Sequence, residues 1–531
     1  MFRSADRLLD RIATVRRSAL LLLVLLVGAT AQAADTPGSG VLGCGTPWET
    51  RYFVRTSDRA GPTVVISGGV HGDEPAGAAA AEQIRHWPLV RGTLVVLPCA
   101  NPPALAARTR TIPGAPASRN NLNRNFPRTG QADASPRGEQ AAAIWQWLQS
   151  VQPTWVVDLH EGYGIRAAGS QSVGSSVIVW PDEDADQAVE RMLAAVNGTI
   201  EREDKHFVRL SPPVDGSLAR AAAEHLGAKA MILETSTRDL PAAATNSQPQ
   251  AKSATAKSPI VHQPLSRRVR QHRLLVHALL THLKMIDAPL DVDRIAGRTA
   301  DPDQTWVALY DAGGTGGQGV AAVRRILGDE GMRVVPLGAE EIAAGSLGEF
   351  DVVVFPGGSG SRQAAAIGEQ GREQLRQFLE RGGGYLGICA GAYLCTSGFD
   401  WGLKVLDAKT VSPKWRRGVG MLQMELTPAG RDLLGDHPAP LEVRYYNGPV
   451  ITRAEVDAVP DYEVLAYYRT EVAKNDSPAG VMVDSPAIAA GRFGRGRVLF
   501  VSPHPEQTPG LEGLVHRGVR WAAGKAEQET R

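Results

Sequence analysis

Short apolar runs alternate with helical stretches along most of the chain, and each run ends at polar residues. Runs of this length are typical of buried strands, and their alternation with helices is typical of βαβ units. The predicted strands are 63–67, 92–97, 155–159, 230–233, 307–310, 351–355, 385–388 and 498–501. Because ligands bind at the carboxyl ends of strands in open α/β sheets, we expect the chemistry of this α/β protein there.

Two segments interrupt the pattern. Residues 241–262 are rich in Ala, Ser, Gln, Lys and Pro, which is the composition of a flexible insertion. Beyond them, apolar residues recur at helical spacing over 265–283, which predicts a helix that we assign to the first domain. Pro, Gly and polar residues then mark 289–303 as a linker. The predicted domains are therefore 34–288 and 304–526.

The first 33 residues have the order of a secretory signal. Five arginines lie among the first 17 residues, an apolar run covers 19–28, and Ala31-Gln-Ala33 follows. A basic start, an apolar stretch and a small-x-small site predict cleavage after Ala33. The apolar run is too short for a comfortable membrane span. We therefore expect an exported protein, periplasmic or secreted, with no stable membrane span after cleavage.

Composition narrows the classes of partner. Of the 531 residues, 43% are hydrophobic and 21% charged, as in soluble globular proteins. The net charge is only +1 and aromatic residues make up 6%, so neither a basic surface nor a base-stacking surface is indicated, and no nucleic-acid partner is expected. Four cysteines are too few for a disulfide scaffold. Cys44 and Cys99 either pair in an oxidising compartment or remain two buried thiols.

The first predicted strand leads into a set of metal-ligand residues. His71 and Glu74 lie three residues apart at its exit, and His160 ends another predicted strand. Two imidazoles and a carboxylate can hold one zinc ion while leaving a position open for catalysis. Asp158, two residues before His160, is a candidate to orient an imidazole.

Hydrolysis at such a metal also needs a base and a positive group. Glu234, at the end of its predicted strand, fits the base that activates the attacking water. Arg110 and Arg124 are the candidates for the positive groups. Each feature alone can be explained without a function, because an isolated His-x-x-Glu is usually a pair of surface residues and a loop arginine is usually solvated.

Taken together, these motifs resemble the zinc carboxypeptidase superfamily, in its succinylglutamate desuccinylase/aspartoacylase branch, over about 50–286. The motifs are, in order, His71-Gly-Asp-Glu74, Thr109-Arg110, Leu122-Asn-Arg-Asn-Phe-Pro127, Asp158-Leu-His160 and Glu234. The resemblance implies a mixed sheet with flanking helices and one zinc ion. One departure is Asn121, where the family usually has Asp, and this puts a contact behind the metal ligands in question.

The resemblance also implies a role for each residue. His71, Glu74 and His160 would hold zinc. Glu234 would be the general base and Arg110 would polarise the scissile carbonyl. Asn123 and Arg124 would clamp a substrate carboxylate, a task that suits a guanidinium fork.

A carboxylate clamp suits both a carboxypeptidase and an N-acyl amino acid deacylase. Export favours a peptide substrate, and the motifs also resemble the murein peptide amidases of this superfamily. We therefore expect an amide hydrolase for peptidoglycan-derived or other extracytoplasmic peptides, with peptidoglycan a further candidate partner. The alternatives are an acyl amino acid deacylase and a ligand-binding or scaffold protein that works through its carboxy-terminal domain.

A second constellation lies in the carboxy-terminal half. Cys389 stands between a predicted strand and a Gly-Ala helix start, with Gly387 and Gly391 on either side. Small neighbours allow a nucleophile to occupy a tight strand-to-helix turn. His504 supplies a base and Glu506 a carboxylate to orient it, which completes the logic of a catalytic triad.

This half resembles the class I glutamine amidotransferase fold, in its biotin-protein-ligase amino-terminal branch, over about 305–525. The resemblance implies a flavodoxin-like domain. It also implies that Pro356-Gly357-Gly358 forms the oxyanion loop, with the backbone N–H groups of Gly358 and Ala390 as donors. Two readings stay open, a working hydrolase and a binding domain that retains the triad.

Overall fold

Two large sheets organise the chain. The computed structural model describes residues 35–130, 135–166, 172–236, 263–287, 291–298, 301 and 303–525. These residues form one eight-stranded sheet, one nine-stranded sheet and a two-stranded ribbon, with helices between the strands. The predicted α/β class with two successive domains is confirmed. The predicted signal, its cleavage site and the insertion at 241–262 fall outside the described part of the chain.

The first sheet has the strand order β1-β2-β4-β3-β5-β8-β6-β7. Its strands are β1 (Asp35–Leu42), β2 (Thr50–Ser57), β3 (Thr63–Gly68), β4 (Thr93–Leu97), β5 (Trp155–Gly162), β6 (Ser176–Val179), β7 (Val208–Leu210) and β8 (Lys229–Ser236). The central β4-β3-β5-β8 strands run parallel, and antiparallel pairs extend the sheet at both sides. The sheet is therefore mixed, as expected.

Helices cover both faces of this sheet. They are α1 (Pro75–Ile84), α2 (Pro102–Ala107), α3 (Glu139–Val151), α4 (Glu183–Asn197), α5 (Leu218–Leu226) and α6 (Leu265–His282). Side chains of α1, α4 and α6 build the core on one face, and those of α3 and α5 build it on the other. Burial on both faces explains why the parallel strands are continuous apolar runs.

The second sheet has the strand order β10-β9-β11-β12-β19-β18-β17-β14-β15. Its parallel part is formed by β9 (Trp306–Tyr310), β10 (Arg333–Leu337), β11 (Val352–Phe355), β12 (Gly384–Ile388) and β19 (Gly496–Val501). If these five strands are renumbered 1 to 5 in the order in which they occur along the chain, their order in the sheet is 2-1-3-4-5, which is that of flavodoxin-like folds. The parallel strands contain all four runs that the sequence predicts in this half.

An antiparallel extension, which the apolar runs did not predict, completes this domain. It contains β14 (Val419–Leu426), β15 (Leu441–Tyr446), β17 (Glu463–Tyr468) and β18 (Pro486–Phe493), while β13 (Ala408–Thr410) and β16 (Ile451–Arg453) form the separate ribbon. The helices are α7 (Gly317–Asp329), α8 (Ala339–Ala343), α9 (Gly360–Glu380), α10 (Ala390–Cys395), α11 (Pro428–Leu434) and α12 (Glu512–Ala522). Within the described residues, no helix is both long and apolar enough to span a membrane.

Helix α6 joins the two domains. The backbone N–H of Leu265 at its start donates to Asp311 Oδ2 over 2.7 Å, directly after β9. Farther along, Arg273 forms a buried ion pair with Glu341 of α8. Part of the predicted linker also packs here, because Ile295 is 6% exposed and its N–H donates to a serine of the second domain.

Candidate metal centre and cysteine site

The three predicted metal ligands converge. His71 and Glu74 lie in the loop between β3 and α1, and His160 lies on the neighbouring strand β5. All three are buried, and one ligand atom from each lies within 4.8 Å of the others. Nδ1 of His71 is 3.0 Å from Glu74 Oε1, and Nδ1 of His160 is 2.9 Å from Glu74 Oε2. One carboxylate and two imidazole nitrogens therefore face a common point.

The outer imidazole nitrogens are held by acceptors, as a metal site requires. Nε2 of His71 lies 3.1 Å from Asn121 Oδ1, and Nε2 of His160 lies 2.7 Å from Asp158 Oδ2. A proton on each Nε2 leaves both Nδ1 lone pairs for a metal. The amide of Asn121 thus makes a contact behind the ligands, although the family usually has Asp at this position. These residues fit a metal with two imidazole ligands and one carboxylate ligand.

Glu74 contacts charged or ionisable side chains of the candidate metal centre, namely His71, His160 and Arg110. Burial alone would raise the pKa of this carboxyl, but His71 and His160 outweigh burial and hold the pKa well below its usual range. Arg110 Nη1 donates to Glu74 Oε1 over 2.5 Å, and the Arg110 side chain is 35% exposed. Arg110 therefore reaches from solvent to the ligand carboxylate, at the mouth of the site.

Two more predicted residues, Arg124 and Glu234, border this mouth. Burial lowers the pKa of the Arg124 guanidinium, the neighbouring Arg110 and Arg128 lower it further, and Glu234 opposes them. Glu234 is 9% exposed and pairs in register with His160 on the adjacent strand. Arg110 pairs with Glu74 and Arg128 pairs with Asp215, so Arg124 is the guanidinium at the mouth that can receive an anionic substrate group.

Asn123, predicted to bind substrate, is placed differently from the arginines. Its side chain is buried, with Oδ1 accepting from the N–H of Leu218 over 3.1 Å and Nδ2 lying 3.3 Å from His160 Nε2. Arg124 Nη1 in turn donates to the backbone carbonyl of Asn123 over 2.6 Å. In this structure the Asn123 carbonyl holds the neighbouring arginine, while Nδ2 only lies close to His160, because a protonated Nε2 cannot accept a hydrogen bond from it.

Sequence reasoning missed two buried groups that hold the site together. Glu161 accepts the N–H of Ala76 over 2.6 Å at the start of α1 and pairs with Arg268 of α6. Asn101 Nδ2 donates to the carbonyl of Val70 over 3.0 Å and so fixes the metal-ligand loop. Glu161 directly follows a proposed ligand, which was an available signal. Nothing local marked its pairing with a helix 107 residues away.

Cys389 lies in a strained turn, as the flanking Gly387 and Gly391 predict. Cys389 lies between β12 and α10 with φ of +50° and ψ of −95°. A Cβ on Gly391 would lie 2.1 Å from the carbonyl oxygen of Phe355, and one on Gly387 would lie 2.4 Å from that of Gly391. Only glycines permit this close packing, which holds the cysteine in a conformation that L-residues rarely adopt.

The base and its orienter lie beside the thiol. His504 Nδ1 is 2.8 Å from Glu506 Oε1, and both residues are buried. Burial works to lower the pKa of His504, but contacts with Cys389 and Glu506 raise it to about 10. These groups adjoin a cavity of about 300 Å³, which Cys389, His504 and the proposed oxyanion residue Gly358 line. The other proposed donor, Ala390, is the first residue of α10.

The remaining cysteines carry no chemistry in the structure. Cys44 and Cys99 are free thiols, so the predicted alternative of a disulfide between them is not formed. The other alternative, two buried thiols, is wrong for Cys44, which is exposed, and Cys99 is only partly buried. Burial raises the pKa of Cys99 to about 11. Cys395 is fully buried, and burial raises its pKa as well.

Two protein-family models match the chain, one within each of the two sheet-containing regions. The model of the succinylglutamate desuccinylase/aspartoacylase catalytic domain matches residues 60–252, and the model of the biotin-protein ligase N terminus matches residues 346–412. A curated relative, the N-alpha-acetyl-L-2,4-diaminobutyric acid deacetylase of Halomonas elongata, is 35% identical over 105 residues. That match covers 19% of this chain and 29% of the relative.

The chain is also similar to parts of solved structures. Helicobacter pylori Csd4, a D,L-carboxypeptidase, is 16% identical with a TM-score of 0.32, and the match covers 47% of this chain and 62% of that one. The ectoine utilization protein EutE (DoeB) of Ruegeria pomeroyi is 19% identical with a TM-score of 0.31, covering 50% of this chain and 73% of that one.

Proposed function

We propose that the chain is a zinc-dependent amide hydrolase, because residues 60–252 match the model of the succinylglutamate desuccinylase/aspartoacylase catalytic domain. The observation that carries the proposal is the convergence of His71, Glu74 and His160, with both Nδ1 atoms directed at Glu74. Two imidazoles and one carboxylate are the ligand set of several catalytic zinc sites.

In this proposal His71, Glu74 and His160 hold one zinc ion. When bound, zinc polarises a carbonyl and makes water a better nucleophile. Glu234 takes a proton from the attacking water and returns it to the leaving amine. Arg110, at the mouth, stabilises charge that develops on the carbonyl oxygen.

We propose that the substrate carries a free carboxylate next to the scissile amide. Arg124 supports this, because a partly buried guanidinium at the mouth favours a fixed anionic group. The signal predicted at 1–33 supports a periplasmic or secreted enzyme, and peptides outside the membrane, including those from peptidoglycan, are then the first substrate class. An N-acyl amino acid is the second, favoured by the deacetylase from Halomonas elongata that shares 35% identity over 105 residues.

A comparison of substrates and variants tests this proposal. The mature protein is incubated with a muropeptide mixture and, separately, with N-acetyl amino acids, and the products are identified by mass spectrometry. We expect Glu234→Gln to retain metal and fold while turnover falls at least about 100-fold, the lower range for loss of an acid–base group. Glu190→Gln, on the exposed side of α4, is the matched control.

Metal content and the identity of the product separate the remaining outcomes. His71→Ala should lower zinc content and activity together, and a chelator should act like the variant. Products only from N-acetyl amino acids would select the deacylase. Full activity of Glu234→Gln would refute the assignment of the base.

We also propose that Cys389 is the nucleophile of a second hydrolytic centre. The strained backbone of Cys389 and the His504–Glu506 pair support this, because both are features of activated nucleophiles. Iodoacetamide should alkylate Cys389 faster than the exposed Cys44, and Glu506→Gln should slow that reaction. Slower alkylation of Cys389 than of Cys44 would favour the alternative, a domain that only binds ligands or acts as a scaffold.

A further inference from the structure

The cavity beside Cys389 is lined by an arginine side chain that has no role in the proposed triad. Arg444 and Tyr446 line this cavity together with Cys389 and His504. They lie on β15, where the alternate residues Val443 and Tyr445 are buried in the core. Because strand side chains alternate between faces, Arg444 and Tyr446 share the face that is turned away from the core.

Strand β15 is fixed to both members of the proposed catalytic pair. The backbone N–H of His504 donates to the carbonyl of Arg444 over 2.8 Å. The Cys389 thiol donates to the carbonyl of Tyr446 over 3.4 Å, and the N–H of Arg444 donates to Thr508 Oγ1 over 3.1 Å. These hydrogen bonds therefore fix the backbone of Arg444 relative to the nucleophile Cys389 and the base His504.

Within the described residues, the guanidinium of Arg444 has no carboxylate as counter-charge. It forms no ion pair there, and its buried Nε makes no hydrogen bond. Glu506, which orients the base, bonds to His504 and Gln507 through Oε1, and its buried Oε2 bonds to no group of the described residues, Arg444 included. A partly buried guanidinium without a protein partner favours an anion from solution.

A second positive feature lines the same cavity. The residues at the start of α7, Gly316 to Gly319, line the cavity, and α7 is a helix of 13 residues. Its N-cap is Gly316, which has no side chain to occupy the first N–H groups of the helix. The helix N-terminus therefore adds partial positive charge to the cavity that Arg444 also lines.

We propose that Arg444 is the specificity residue of the Cys389 site, and that this site takes an amide or ester that carries a carboxylate near its scissile carbonyl. The inference rests on the proposed role of Cys389 as nucleophile. The Cys389 thiol passes its proton to His504 as Sγ attacks the carbonyl carbon, and the bond to the leaving amine or alcohol breaks as the leaving group takes that proton from His504. Water then cleaves the thioester and releases a carboxylic acid, so that the sum is one hydrolysis.

The alkylating agents iodoacetate and iodoacetamide test the charge preference directly. Both reagents alkylate the thiol through their CH2 carbon and release iodide, but only iodoacetate carries a carboxylate. Alkylation of the full-length protein is followed by mass spectrometry at each cysteine, and the exposed Cys44 serves as the internal reference. We expect the ratio of the iodoacetate rate to the iodoacetamide rate to be about tenfold higher at Cys389 than at Cys44, which corresponds to roughly 1.4 kcal/mol.

Variants show whether Arg444 causes the preference. Arg444→Gln should reduce the ratio at Cys389 to that of Cys44, and Arg444→Lys should retain most of it. Arg492→Gln, exposed on β18, is the matched control and should leave the ratio high. Equal ratios at Cys389 and Cys44 in the wild-type protein would overturn the inference without any variant.

The outcomes also separate this inference from the function on which it rests. Rapid alkylation of Cys389 by iodoacetamide with no preference for iodoacetate would refute the role of Arg444 and leave the nucleophile standing. Failure of Cys389 to react with the neutral reagent would refute the nucleophile and the inference with it.

Discussion

Arg273 and Glu341 form an ion pair between α6 and α8, and we expect its loss to destabilise the junction of the two domains. The two side chains are only 1% and 2% exposed. Arg273→Met removes the guanidinium but keeps much of the apolar stem. Glu341 is then left buried without its counter-charge, which costs about 3–5 kcal/mol of the free energy of unfolding near pH 7.

Proton uptake by Glu341 should relieve part of this cost at low pH. Burial already raises the pKa of Glu341 above its usual value, against the lowering effect of Arg273, so the pKa rises further in the variant. A carboxyl with a higher pKa in the folded state binds more protons there, and the variant therefore gains stability as pH falls. The deficit should shrink from pH 8 to pH 5, by at most about 1.4 kcal/mol per pH unit.

Urea unfolding followed by tryptophan fluorescence measures these free energies at pH 5, 7 and 8. Arg191→Met, exposed on α4, is the matched control. The double variant with Glu341→Gln should recover part of the loss, because no unpaired charge remains buried. A loss below about 1 kcal/mol at pH 7, or a deficit independent of pH, would refute the reasoning.

Three further predictions concern the two sites. Asp158→Asn should weaken zinc binding about 10–100-fold, measured by competition with a chelator, because it removes the carboxylate that orients His160; unchanged affinity would contradict this. The pKa of His504 is raised to about 10, so its protonation adds to the free energy of unfolding below pH 6.5, and this contribution is lost as pH rises through about 10. The difference in free energy of unfolding between wild type and His504→Gln, measured by urea unfolding, should therefore narrow from pH 6.5 to pH 10. A difference that stays constant would contradict this. Gly391→Ala should cost about 1–3 kcal/mol in the same assay, since its methyl would lie 2.1 Å from a carbonyl oxygen, and a neutral effect would be inconsistent with that packing.

Local pattern was sufficient for β3, β4, β5 and β8 of the first sheet, for four of the five parallel strands of the second sheet, and for α6. The parallel strand β10 and the parallel pair β6 and β7 were not predicted. Strands buried on both faces are continuous apolar runs, and a helix that packs on a sheet carries an apolar stripe, so each leaves a signal in its own residues. His71, His160 and Glu234 were predicted because each lies at or beyond the end of such a strand. Strands β14 and β15 were missed because they alternate buried and exposed residues and form no apolar run. Strand β18 has five consecutive buried residues, but these are mainly Ala and Gly, which do not stand out as an apolar run.

Only the tertiary structure decided which distant groups meet. Asn121 stands behind His71, Glu161 pairs with Arg268, and Arg444 faces the cavity of Cys389. Each of these contacts joins residues at least 50 positions apart. A hydrogen bond or an ion pair depends on distance and direction between two groups, and a periodic pattern reports only whether a side chain is buried. The sequence therefore determined where chemistry was available, and the packing of α6 and β15 determined which charges support it.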